Sequence, residues 1–453
     1  MATLSESEAK ALLQKVLGYS KADACQVTLS GGRSGNLRFA RNAVSTSGAA
    51  DTLALGVQSS FGKKTGTTSL NEFDDASLEK VVRRSEELAR VAPENPEHVE
   101  LLGPQTYLSP KAHFASTAGI TPDFRAAAAA ASINPCRAQG LTAAGFQQDY
   151  AGFTAVANSR GLFGYQLSSS ADFSVTIRTA DGKGSGYGVC DFNDAAKMDT
   201  GAVSEAAIQK ALRSRETKAI EPGKYTVILE PAASVDLIGH LISAMDARQT
   251  DEGRSFLSKA GGGSRLGEKL MDEQVTITSD PLNAEIPGDA WAGDGRPRKP
   301  TEWIKNGVVT NLAYERFWAQ KKGIADGGTP RIGSRAPSVG AFEGAPGFIM
   351  AGGTAGLDEL VKSVKRGVLV TRMWYIRPVD PQTLLYTGLT RDGTFYVENG
   401  EIKYAIKNFR FNESPVIMLN NVEALGRPQR ANGCLVPPMV LRDFTFSSLS
   451  DAV

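Results

Sequence analysis

Apolar residues return every three to four positions at Ala9, Leu12, Leu13, Val16 and Leu17, behind Ser5 and Glu8 at capping-box spacing, and so predict a first helix. Cys25, Val27 and Leu29 then alternate as in a strand. "TLALGVQSSFG" and "KTGTTSL" predict two more strands with "GKK" at their turn. Asp74 or Asp75 can cap a second helix with Leu78, Val81, Val82, Leu88 and Ala89 on one face. These elements make an α+β unit ending near Pro93. Residues 93–120 are rich in Pro and polar side chains, hold His98 and His113, and read as a linker. Thr121 with Pro122 starts another helix, because Pro is tolerated in the first turn. A strand-rich stretch covers about 141–190, and "GAVSEAAIQKALRSR" closes this unit as a helix near 215. "EPGKYTVILEP" opens the last region with a strand, followed by a helix over Ser234–Gly253, "SVDLIGHLISAMDARQTDEG". Beyond it lie short strands and turns, including "PTEWIKNGVVTNLAY" and "GTFYVENGEIKYAI", each with Asn-Gly where a hairpin would turn. The expected fold is α+β: an N-terminal α+β domain (1–105), a middle α+β domain (106–218) and a β-rich C-terminal domain (219–453), barrel or sandwich, with helices packed on it.

Composition narrows the function classes. The 453 residues suffice for two or three domains. The 50 basic and 49 acidic residues nearly cancel, which argues against a nucleic-acid partner. No apolar run approaches the roughly 20 residues of a membrane span, and the start lacks a secretory pattern. Cys25, Cys136, Cys190 and Cys434 are scattered without a CxxC pair, as in a reduced, cytoplasmic protein.

Candidate chemistry gathers on one helix. Neither a P-loop nor GxGxxG after a strand nor GxSxG occurs. His240 is one of three histidines and sits on an apolar helix, with Asp236, Leu237, Ser243 and Ala244 at one-turn spacing. A zinc helix needs two such histidines; only His240 is present, and Asp246, Asp251 and Glu252 fall where the helix fades. On residues alone His240 is a structural histidine. A His240–Cys434 pair, or a metal held by His240, Asp246 and Cys434, is the chemical alternative.

Three blocks carry a resemblance. They are "LIGHLISAMDA" with "RSFLSKAGGGSRLGEKLMDEQVTITSDP"; "IKNGVVTNLAYERFWAQKKG"; and "LYTGLTRDGTFYVENGEIKYAI" with "FNESPVIMLNNVEALG". With "VANSRGLFGYQ" they cover most of residues 140–453 and resemble the TldD/PmbA family of zinc peptidases, also described as modulators of DNA gyrase. The resemblance implies two kinds of subunit. TldD-type chains carry HExxxH on this helix and a C-terminal cysteine ligand, whereas PmbA (TldE)-type chains lack the histidine pair. Laid on that motif, Gly239 and Ala244 take the histidine positions and His240 the glutamate; shifted by one, His240 and Met245 take the histidine positions. The two-histidine grip is lost in both registers, and Cys434 in "NGCLVPPMVL" is similar to the family's cysteine block.

The implied function is a non-catalytic PmbA-like subunit that binds no metal or other cofactor itself. It would pair with a zinc-bearing, HExxxH-carrying TldD-like chain in proteolysis of small or unfolded peptides. The alternatives are an independent hydrolase using His240 and Cys434, and a homodimeric binding or regulatory protein.

Overall fold

The computed structural model describes residues 3–333 and 347–450. Helix α1 (Glu6–Tyr19) starts at Ser5, where Ser5 and Glu8 form the reciprocal capping box read from the sequence. Helix α2 (Asp75–Val91) is capped by Asp74, whose side chain accepts from the Ser77 amide. Helix α3 (Pro122–Ala138) begins behind Thr121. Strands β1 (Ala24–Ala40), β2 (Ala43–Phe61), β3 (Lys64–Leu70), β4 (Leu141–Asn158), β5 (Phe163–Thr179) and β6 (Ser185–Phe192) form one antiparallel sheet, ordered β3-β2-β1-β4-β5-β6.

That sheet crosses position 105, so the first two expected units share one hydrogen-bonded layer. The cause lies in β1. Its 17 residues offer two edges; β2 takes one, and β4 takes the other from Gln26↔Asn158 to Phe39↔Gly145. Two apolar clusters line the sheet. One joins α1 and α2 through Leu13, Val16, Leu78 and Val82 to Val27, Leu55 and Phe153. The other joins α3 and helix α4 (Thr200–Arg213) through Ile133 and Ile208 to Phe39, Phe173 and Val175.

The C-terminal region is a barrel with a second small sheet beside it. Strands β7 (Gly223–Leu229), β8 (Arg366–Asp380), β9 (Leu385–Glu398), β10 (Asn408–Glu413) and β11 (Met439–Ser450) close in the order β8-β7-β11-β10-β9, with β9 pairing back to β8. Closure removes the exposed edges that an open sheet would leave. Both Asn-Gly turns appear where expected, with Asn306, Gly307, Asn399 and Gly400 all at positive φ. Among the described residues no helix is long and apolar enough to cross a membrane.

The helix expected over Ser234–Gly253 is two helices: α5 (Pro231–Ser243) and a short one, Ala247–Asp251. A backbone clamp breaks the run. The Ala247 amide donates to the Ala313 carbonyl at 2.9 Å, and the Ala313 amide donates to Met245 at 2.8 Å. Met245 is thereby driven into the core, at 1% exposure.

Candidate functional site

Helix α5 follows β7 with Glu230 at its N-cap and Pro231 in its first turn. Lys210 Nζ donates to Glu230 Oε2 at 2.7 Å and Thr371 Oγ1 to Glu230 Oε1 at 3.2 Å, so α4 and β8 fix the helix start. Val235, Leu237, Ile238, Leu241 and Ile242 are buried in the main C-terminal cluster. Ala232, Asp236 and His240 repeat every four residues along one remaining stripe and line a cavity of about 240 Å³. The other walls are Tyr187 from β6, Arg372 to Arg377 from β8, and Asn432. First sheet and barrel therefore build this cavity jointly.

Its polar groups are unusual for an interior. Burial pushes the Asp236 carboxyl up to about 7, opposed by the charge of Arg372 and a hydrogen bond from Asn432. Asp236 is half-buried and lines the cavity, so solvent at that face screens part of the cost of its charge. Burial pushes His240 down to about 4, and its ring stacks on Tyr386 with centroids 4.4 Å apart. At pH 5–6 the imidazole is therefore neutral and the acid protonated. The Arg372 guanidinium lies 4.0 Å from the Tyr187 ring centroid and 4.7 Å from that of Trp374. Burial also pushes the Tyr187 phenol up to about 12.

A pH test follows from the signs. Asp236 holds its proton in the folded chain above the ordinary value of 3.8, so its contribution to stability is complete below that value and is lost as pH rises toward 7. His240 works oppositely: its contribution is lost as pH falls from 6.5 through 4. Asp236→Asn should therefore gain stability relative to the parent between pH 4 and 8, on the order of 2 kcal/mol after discounting for cavity water. Urea denaturation of both proteins across that range checks it; a constant difference at all pH values would remove the ionisation cost from the account.

The candidates from the sequence divide here. His240 lines the cavity, whereas Gly239 is buried within the helix and Ala244 is its C-cap. Asp246 caps the short helix, accepting from the Gln249 amide at 2.7 Å, and pairs with Arg331. It does not line the His240 cavity, so the His240–Asp246–Cys434 metal set is not assembled around it. Asp251 accepts from Trp318 Nε1 at 2.8 Å, and Glu252 pairs with Arg248 and Arg254. Cys434 is fully buried; its Sγ lies 3.7 Å from the Asn432 carbonyl oxygen, and it is absent from the cavity lining. His98 and His113 are absent from that lining as well.

Sequence reasoning gave Asp236 no role and missed Arg372, Tyr187 and Asn432 altogether. Spacing set Asp236 one turn before His240, but nothing local marks it as facing a cavity. No local signal marks Arg372, which arrives through the parallel pairing of Val368–Val370 with Val227–Leu229.

Zinc does not fit this donor set. A structural or catalytic zinc takes three or four thiolate, imidazole or carboxylate ligands. The cavity offers one imidazole and one carboxyl, with a fixed guanidinium beside them. Among the described residues no three His, Cys, Asp or Glu side chains are grouped to hold a metal.

A second, larger cleft of about 940 Å³ runs between β5, β6 and the C-terminal loops and shares Asn432 with the first. Arg430 closes part of its wall, donating through Nε to Asp191 Oδ2 at 2.9 Å.

Comparisons with known proteins match the whole layout. TldE from Thermococcus kodakarensis superposes with a TM-score of 0.84 at 16% identity, covering 97% of this chain and 100% of that one. A candidate modulator of DNA gyrase from Bacteroides thetaiotaomicron gives 0.82 at 21% identity, covering 98% and 99%. These likenesses show the fold. Among curated relatives, a metalloprotease of Methanothermobacter thermautotrophicus is 25% identical over 229 residues, 48% of this chain and 46% of that protein. The metalloprotease PmbA of Escherichia coli O157:H7 is 23% identical over 206 residues, 45% of this chain and 41% of that protein. The matched stretches thus span less than half of either curated relative. Models of the PmbA/TldA metallopeptidase domain 1, central domain and C-terminal domain match residues 25–89, 118–215 and 222–448 in that order. With three successive domain models matched along most of its length, the chain belongs to the PmbA/TldD metallopeptidase family.

Proposed function

We propose that this chain is a non-catalytic, PmbA (TldE)-like subunit that completes a zinc peptidase with an HExxxH-carrying partner. The observation that carries the reading is the α5 cavity, where a protonatable acid, one imidazole and a guanidinium stand in place of a zinc donor set. HExxxH can be laid on α5 in a third register. His240 then takes the last histidine position, Asp236 the glutamate and Val235 the first histidine. This register agrees with the shared stripe of Asp236 and His240, while Val235, at 2% exposure, points into the core. The grip of two histidines is lost here too.

His240 supplies no general base in this reading. A useful base is poised near the working pH, whereas this imidazole is held well below it and stacked on Tyr386. Cys434, absent from the cavity lining, is no nucleophile for it. What remains is a scaffold whose larger cleft lines a chamber for unfolded or small peptides, with the partner providing the metal.

Elemental analysis tests the metal part. Purified at neutral pH, the chain should carry no stoichiometric zinc. One tightly bound equivalent that disappears in His240→Ala would sink the proposal.

A further inference from the structure

Arg372 is 9% exposed and carries five N–H donors. Among the described residues its polar partners are Asp392, whose Oδ2 lies 3.4 Å from Nε, and the side chains of Tyr187 and Asp236. Asp392 is itself divided, lying 3.8 Å from Arg391 Nε and accepting from the Ser185 hydroxyl. A buried guanidinium with spare donors beside a cavity is a costly arrangement unless something accepts from it. The surroundings reinforce the sign. Arg377 also lines the cavity, stacked 4.3 Å from the Tyr375 ring centroid, and Arg391 lies 5.0 Å from that of Trp374. Two guanidinium groups, Arg372 and Arg377, thus line the cavity with one carboxyl group, Asp236. At the mouth, Trp374 and Tyr375 are exposed at 41% and 57%, next to half-buried Ile376.

We propose that this cavity binds the C-terminal carboxylate of a short peptide, held by Arg372, with the last side chain against Trp374, Tyr375 and Ile376. A planar carboxylate matches the guanidinium fork. Asp236 in the same wall favours a singly charged guest over a phosphate dianion. About 240 Å³ holds roughly one terminal residue and not a folded segment. The choice of a peptide as carboxylate source rests on the proposed function; the carboxylate chemistry rests on the cavity alone.

Calorimetry on the full chain, without any partner, tests it. The probes are an acetylated alanyl-phenylalanine with a free C-terminus, its C-terminal amide, and inorganic phosphate. The free acid should bind, and the amide should bind at least about tenfold more weakly, as expected for losing a charge-assisted pair. Arg372→Gln should remove most of the binding. Trp374→Ala changes an exposed side chain, so it should weaken binding several-fold with an unchanged Tm; it keeps the idea testable if the Arg372 variant fails to fold. Equal binding of acid and amide, tighter binding of phosphate, or no heat from the acid up to about 10 mM would each overturn the proposal. Because binding is read on the isolated chain and assembly by co-elution with an HExxxH chain, either reading can fail without the other.

Discussion

Hydrolysis of an unfolded peptide should appear only when this chain is combined with a family member carrying HExxxH. The isolated chain should show none, because a zinc-activated water needs about three protein ligands, and the cavity offers one imidazole and one carboxyl from α5 with the Arg372 guanidinium of β8 beside them. The combined sample should be orders of magnitude more active than either part. In that complex His240→Gln should change turnover by no more than a few-fold. Loss of a general base costs about 10²–10⁴ in rate, whereas loss of one structural contact costs roughly 1 kcal/mol of stability. The assay compares this chain, the partner and the mixture on one unfolded peptide, with size-exclusion chromatography alongside. Activity from this chain alone would reject the proposal, and so would a partner fully active and monodisperse without it.

The second large effect concerns the first sheet. Arg125 on α3 is 1% exposed and forks onto Asp149 of β4, with Nε to Oδ1 at 2.7 Å and Nη2 to Oδ2 at 2.8 Å. Gly35 on β1 makes room for it, since a Cβ there would lie 1.8 Å from Arg125 Nη2. Removing one partner of such a buried pair leaves the other charge without compensation and costs about 3–5 kcal/mol. Arg125→Ala and Asp149→Ala should each fall in that range by urea denaturation. Gly35→Ala should be strongly destabilising because the guanidinium it would displace is locked by two hydrogen bonds. Replacing both partners, as Arg125→Met with Asp149→Leu, should recover much of the loss, because an apolar pair of similar volume removes the desolvation cost. A single-substitution cost below about 1 kcal/mol would show that water compensates the pair.

Nothing in "TPDFRAAAAAASI" marks Arg125 as interior; by itself it is a cation at the start of an Ala-rich helix. The contrast runs through the whole molecule. Signals complete within a few residues were legible in the sequence. The Ser5–Glu8 capping box, the Asp74 cap, the Thr121-Pro122 start and both Asn-Gly turns all stand where the residues put them, because each is settled by hydrogen bonds or φ preferences between near neighbours. The loss of the histidine pair on α5 was equally plain, since a motif is a spacing. Features that depend on distant pairing were not. The β1–β4 register joins positions more than 100 residues apart and continues one sheet across the first two units. The break at Met245 comes from Ala313. Arg372, Tyr187 and Asn432 meet Asp236 and His240 only because barrel closure and the first sheet bring four separate segments to one cavity. The sequence by itself determined the local elements and the family blocks. Tertiary structure alone decided which charges were buried together, since burial and desolvation belong to the packed neighbourhood and not to the residue.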